Sequence, residues 1–149
     1  MKNQVLIAVD LSEQSAAIIN KGIDFAQKMG GTVLLVSIIP VFIDYLQSQM
    51  ALIPTQWDDI YNAQKDHARK ELEHVKLKHS NITIDILVEV GNPKFDVIEK
   101  AKEHHSNYIV VGTHGRTGLS HTVMGSTAEY IVRHSNVPVL VVPMDRSNH

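Results

Sequence analysis

The chain alternates between short apolar runs and longer amphipathic stretches. Four runs are almost unbroken Val, Leu and Ile: Gln4–Val9, Thr32–Ile39, Tyr108–Val111 and Val137–Val142. A fifth, Ile82–Val90, alternates more with polar residues. Near-continuous apolar runs fit strands covered on both faces, as in a parallel sheet; a strand with one wet face would alternate throughout. Between the runs, apolar positions recur at helical spacing. Ala16, Ile19, Ile23 and Ala26 share one face of a first helix, which Ser12 is placed to cap and Gly30-Gly31 to end. The segment Trp57–His79 is mostly polar and carries Tyr61, Ala68, Leu72 and Val75 at helical spacing. Asn92-Pro93 reads as the N-cap and first-turn proline of a helix carrying Val97, Ile98 and Ala101. Ser126 and Glu129 form the S-x-x-E pattern of a capping box ahead of Ile131 and Val132.

The order β-α-β-α-β-α-β-α-β predicts a three-layer α/β/α fold. Its centre is a doubly wound, five-stranded parallel sheet, flavodoxin-like or Rossmann-like, with strand order 3-2-1-4-5. The 149 residues make one domain, 1–149, without an internal repeat or linker. Pro40–Gln56 is longer and more apolar than a minimal α/β connection requires. It reads either as a loop or short helix over the sheet edge, or as a flap or partner-binding surface.

Composition narrows the function. Lys plus Arg is 14 and Asp plus Glu is 16, a net charge of −2, so no basic face points to nucleic acid or a membrane. The absence of cysteine excludes disulfides, thiol catalysis and zinc-thiolate sites. The first apolar run is too short for a signal sequence or a membrane span. The expectation is a soluble, cytoplasmic protein.

In an open parallel sheet, ligands sit beyond the carboxyl ends of the strands where the strand order reverses, here between strands 1 and 4. Strand 1 ends at Val9-Asp10, and an acid there can accept hydrogen bonds from ribose hydroxyls or an adenine amine. Strand 4 runs into Gly112-Thr113-His114-Gly115, and after the nine residues Arg116 to Met124 come Gly125-Ser126. Glycines between a strand end and a helix N-terminus let backbone N–H groups approach phosphate. Asp10 and Ser126 also have structural readings, as first-turn cap and helix N-cap. His114 reads as an exposed loop histidine, a backbone donor or a side-chain ligand. Arg116 and Thr117 reach phosphate or solvent.

These residues resemble the universal stress protein family along nearly the whole chain, through VLIAVDLSEQS, VVGTHGRTGLSHTVMGST and NVPVLVVP. The G-x2-G-x9-G-[ST] pattern is intact at Gly112, Gly115, Gly125 and Ser126, which in that family marks the ATP-binding branch. The resemblance implies nucleoside contact by Asp10, with Ala8 beside it, and an adenine pocket lined by Ile38. It implies a ribose and phosphate loop at Val111, Gly112, His114 and Gly115, with Arg116 adjoining. It implies a phosphate grip at Gly125, Ser126 and Thr127. It also implies a homodimer, through an edge strand Val137–Val142 that would otherwise be bare.

No G-x-x-x-x-G-K-[ST] is present, so no loop lysine neutralises the outer phosphates. His67, His74, His79, His104 and His105 lie on helices or near helix ends at spacings that make no metal site. Any Mg²⁺ would arrive with the nucleotide phosphates. The expected function is a regulatory, stress-response protein that binds ATP and hydrolyses it slowly at most. The alternatives are a nucleotide hydrolase or transferase with His114 or His121 as base, and a homodimeric interaction module with incidental nucleotide.

Overall fold

The computed structural model describes residues 2–41, 54–114 and 124–144. Most of Pro40–Gln56, together with Gly115, Arg116, Thr117 and His121, lies outside the described residues. Five strands are present: β1 (Gln4–Ala8), β2 (Thr32–Pro40), β3 (Ile84–Gly91), β4 (Tyr108–Gly112) and β5 (Val139–Val142). Four helices join them among the described residues: α1 (Ser15–Lys28), α2 (Pro54–Lys78), α3 (Pro93–Glu103) and α4 (Ser126–His134). Every pairing is parallel, and the strand order is β3-β2-β1-β4-β5, as the sequence predicts.

The unbroken apolar runs have a direct physical cause. Successive side chains of a strand point to opposite faces, and here both faces are covered. Val5, Ile7 and Val9 join Val33 and Leu35 in a core with Ile19 of α1 and Leu72 of α2. Their sequence neighbours Leu6, Leu34 and Val36 pack on the other face with Val97 of α3 and Ile131 of α4. Each strand therefore needs apolar residues at both parities. β3 and β5 lie at the sheet edges, and β3 carries the exposed Asp85, which explains its stronger alternation.

Helix ends follow the sequence in two places and depart from it in two. After α1, Gly30 N–H donates to the Gln27 carbonyl at 3.0 Å and Gly31 N–H to the Ala26 carbonyl at 2.9 Å. Those paired bonds satisfy carbonyls that the helix end would leave open. At α3, the Asn92 side chain accepts from Lys94 N–H at 3.3 Å with Pro93 in the first turn. Asp96 returns the interaction, accepting from Asn92 N–H at 2.9 Å.

Ser12, by contrast, does not cap α1. The Asp10 carboxylate accepts from Ser12 N–H at 3.0 Å, Leu11 takes a left-handed φ of 61°, and Ser15 N–H donates to the Ser12 carbonyl at 3.0 Å. This side-chain turn delays the helix until Ser15, with Gln14 at the N-cap and no side-chain cap bond. The capping box at Ser126 and Glu129 is also absent. Gly125 occupies the N-cap, Ser126 is the first helical residue, and the Glu129 carboxylate pairs with Arg133 at 2.9 Å.

Candidate functional site

β1 and β4 are neighbours, while their onward connections leave toward opposite edges of the sheet. A crevice must open where those connections diverge, and a cavity of about 590 Å³ lies there. The cavity brings together all nine described candidates from the sequence. Ala8 and Asp10 come from the end of β1, Ile38 from β2, and Val111, Gly112 and His114 from β4 and its loop. Gly125, Ser126 and Thr127 come from the start of α4. Gly115 and Arg116 lie outside the described residues.

The glycine side of the cavity is tied tightly. Thr113 N–H donates to the Val142 carbonyl of β5 at 3.0 Å, extending the sheet by one bond. The Thr113 carbonyl then accepts from Gly125 N–H at 2.7 Å. These bonds clasp the chain that leaves β4 to the chain that enters α4. A Cβ on Gly125 would sit 3.3 Å from the Thr113 oxygen, a backbone atom with little freedom to retreat. A Cβ on Gly112 would fall 2.5 Å from Ile18 Cδ1 of α1. At Gly125 the crowding is against backbone, whereas at Gly112 it is against the tip of a side chain that can shift.

The start of α4 is chemically open. No side chain caps it, and the first intrahelical donation is from Glu129 N–H to the Gly125 carbonyl at 3.0 Å. Helix geometry leaves the N–H groups of Ser126, Thr127 and Ala128 without acceptors in their own helix. With the positive end of the helix dipole, they form an anion-attracting rim of the cavity. With the capping box absent, the Ser126 hydroxyl is not engaged as a helix cap.

His114 is buried, at 8% exposure, which rules out the exposed-loop reading. Its Nδ1 lies 2.9 Å from the Thr113 hydroxyl. Asp10 lines the cavity, and its carboxylate accepts from Ser12 N–H in the turn before α1. Among the described lining residues Asp10 is the one carboxylate, His67 and His114 are the imidazoles, and Lys and Arg are absent. Among the described residues, no group of three or more His, Asp or Glu side chains is placed to hold a metal ion.

The structure adds a wall that the sequence did not announce. Ala63, Gln64, His67 and Ala68 of α2 line the cavity, and Pro93 and Val97 of α3 close it from the other face. With 25 residues, α2 is about 37 Å long. The nine residues of β2 span about 30 Å. Because Ala63, Gln64, His67 and Ala68 already border the cavity at the carboxyl ends of the strands, the turns before them overhang the carboxyl edge of the sheet. No apolar periodicity signals this wall: Ala63, Gln64 and His67 are exposed positions beside the buried stripe.

These features define a flavodoxin-like α/β protein with an open cavity at its topological switch point and a helix N-terminus on its rim. A family model described as the universal stress protein family matches residues 1–143, and the chain belongs to that family. Universal stress protein YxiE of Bacillus subtilis is 28% identical over 147 residues, covering 95% of this chain and 99% of YxiE. The solved structure of MJ0577, a universal stress protein of Methanocaldococcus jannaschii, has the same fold, with a TM-score of 0.82 at 23% identity over 99% of each chain. A universal stress protein solved in complex with cAMP superposes with a TM-score of 0.63 at 20% identity, covering 97% of this chain and 98% of the other.

Proposed function

We propose that this protein binds an adenine nucleotide, ATP in the first instance, and acts as a cytoplasmic regulatory factor in the stress response. The carrying observation is the convergence of Asp10, the Gly112 strand end and the uncapped start of α4 on one cavity. An anionic phosphate chain meets the Ser126, Thr127 and Ala128 N–H groups and the Ser126 and Thr127 hydroxyls. The ribose faces Asp10, whose carboxylate accepts from its hydroxyls. The base lies against Ile38 and the apolar walls. A universal stress protein of the same fold was solved in complex with cAMP, which supports a nucleotide as the class of ligand.

The residues fit binding better than rapid turnover. A site for fast phosphoryl transfer concentrates positive charge on the outer phosphates, and this chain has no P-loop lysine. Mg²⁺, held by the phosphates and water, supplies the charge neutralisation when bound. The test is to denature freshly purified protein, identify the released small molecule, and follow added ATP with Mg²⁺ over hours. Adenine nucleotide released in near-stoichiometric amount, with added ATP surviving, supports binding without fast hydrolysis. Turnover near or above about 1 s⁻¹ favours an enzyme.

Dimerisation through β5 belongs to the same reading. β5 is an edge strand with Leu140 exposed. The bond from Ile109 N–H to the Pro138 carbonyl at 3.0 Å, with Ile109 in register with Val139, turns the Leu140 N–H toward β4. By alternation, the Val139 and Val141 N–H groups face outward, free to pair with β5 of a second copy. Val141→Pro removes one outward donor and leaves the β4 pairing intact. Light scattering should report a monomer for this variant and a dimer for the unaltered chain. A dimeric variant contradicts the interface.

A further inference from the structure

The phosphate-attracting rim is at α4, so a bound nucleotide extends its base toward β2 and the overhanging start of α2. The inward stripe of α2 runs Tyr61, Lys65, Ala68, Leu72 and Val75, at spacings of three and four residues. Ala68 and Leu72 are buried in the core, and Tyr61 and Val75 pack against it. Gln64 lies beside that stripe and falls where the helix passes the cavity. Ala63 and Ala68 beside it are small and leave room for a planar ring. Gln64 is exposed at the cavity edge, and no hydrogen bond to another described residue engages its amide.

A glutamine amide carries one donor group and one acceptor on the same plane. Adenine offers the complementary pair, an exocyclic amine beside a ring nitrogen, whereas the corresponding edge of guanine offers two acceptors. From this placement we infer that Gln64 is a base-specificity residue, pairing its amide with the amine and adjacent ring nitrogen of adenine. The inference rests on the adenine-nucleotide reading of the cavity and assigns α2 a part in it. Discrimination then comes from two hydrogen bonds at the base end, separate from the phosphate contacts at α4.

Isothermal titration calorimetry of the unaltered protein, Gln64→Ala and Gln64→Glu, each with ATP and with GTP, tests it. The unaltered protein should prefer ATP. Gln64→Ala should reduce the ATP-over-GTP preference by roughly tenfold. Gln64→Glu should also weaken ATP binding, because a carboxylate accepts from the amine but repels the ring nitrogen. Gln64 is exposed and both substitutions are helix-tolerant, and an unchanged thermal midpoint confirms the fold. If Gln64→Ala binds ATP with its preference over GTP unchanged, the inference is overturned while nucleotide binding stands. If the unaltered protein binds neither nucleotide, the reading of the cavity falls with it.

Discussion

The two ends of the cavity are built by different means. The α4 end is assembled from backbone: the Thr113–Gly125 clasp, the Thr113–Val142 bond, and N–H groups left open by an uncapped helix. The α2 end is assembled from side chains on a helix that overhangs the sheet. A backbone-built site accommodates added atoms only by moving the chain itself. A side-chain-built site can be altered one group at a time. The first should govern whether nucleotide binds at all, and the second which nucleotide binds.

Substitutions at the backbone-built end should produce the largest effects. Gly125→Val forces a branched side chain against the Thr113 carbonyl. Overpacking of this kind costs about 1–3 kcal/mol and should weaken ATP binding by roughly a hundredfold, read by calorimetry. Retained affinity would dissociate the clasp from the ligand. Asp10→Ala removes both the proposed ribose acceptor and the acceptor for Ser12 N–H. It should lower affinity by roughly tenfold and stability by about 1 kcal/mol. Asp10→Asn keeps an oxygen for Ser12, so it should restore most of the stability and less of the affinity. Equal recovery of both in a urea titration and a binding curve would reduce Asp10 to a structural role.

The smallest effect belongs at neither end. Asn92→Ala removes the side-chain cap of α3 and should cost about 1 kcal/mol of stability. ATP affinity should stay within about twofold, because Pro93 and Val97 contribute apolar wall rather than polar contacts. A large affinity loss would mean that α3 positions the base more actively than the comparison allows.

The same contrast explains what could be read from the chain. The strands were legible because burial on both faces forces Val, Leu and Ile at every position, as at Leu6 and Ile7. The α4 end was legible because close backbone approach selects glycine, a local and recognisable signal. Two helix starts were misread for a shared reason: a local pattern of Ser and Glu does not reveal which competing hydrogen bond wins. At Ser12 the Asp10 carboxylate wins, and at Glu129 the Arg133 guanidinium wins. The α2 wall was hidden because it depends on helix length against strand length, a tertiary relation. Gln64 looked like one more polar residue on a polar helix.

The central claim, that the cavity between β1 and β4 is an adenine-nucleotide site, is tested most directly by competitive calorimetry on the unaltered protein and Gly125→Val. ATP should bind the unaltered chain saturably with one equivalent per subunit, and Gly125→Val should bind it roughly a hundredfold more weakly while remaining folded by circular dichroism. Equal ATP affinity in the two folded proteins, or no saturable binding to the unaltered chain, would contradict the claim.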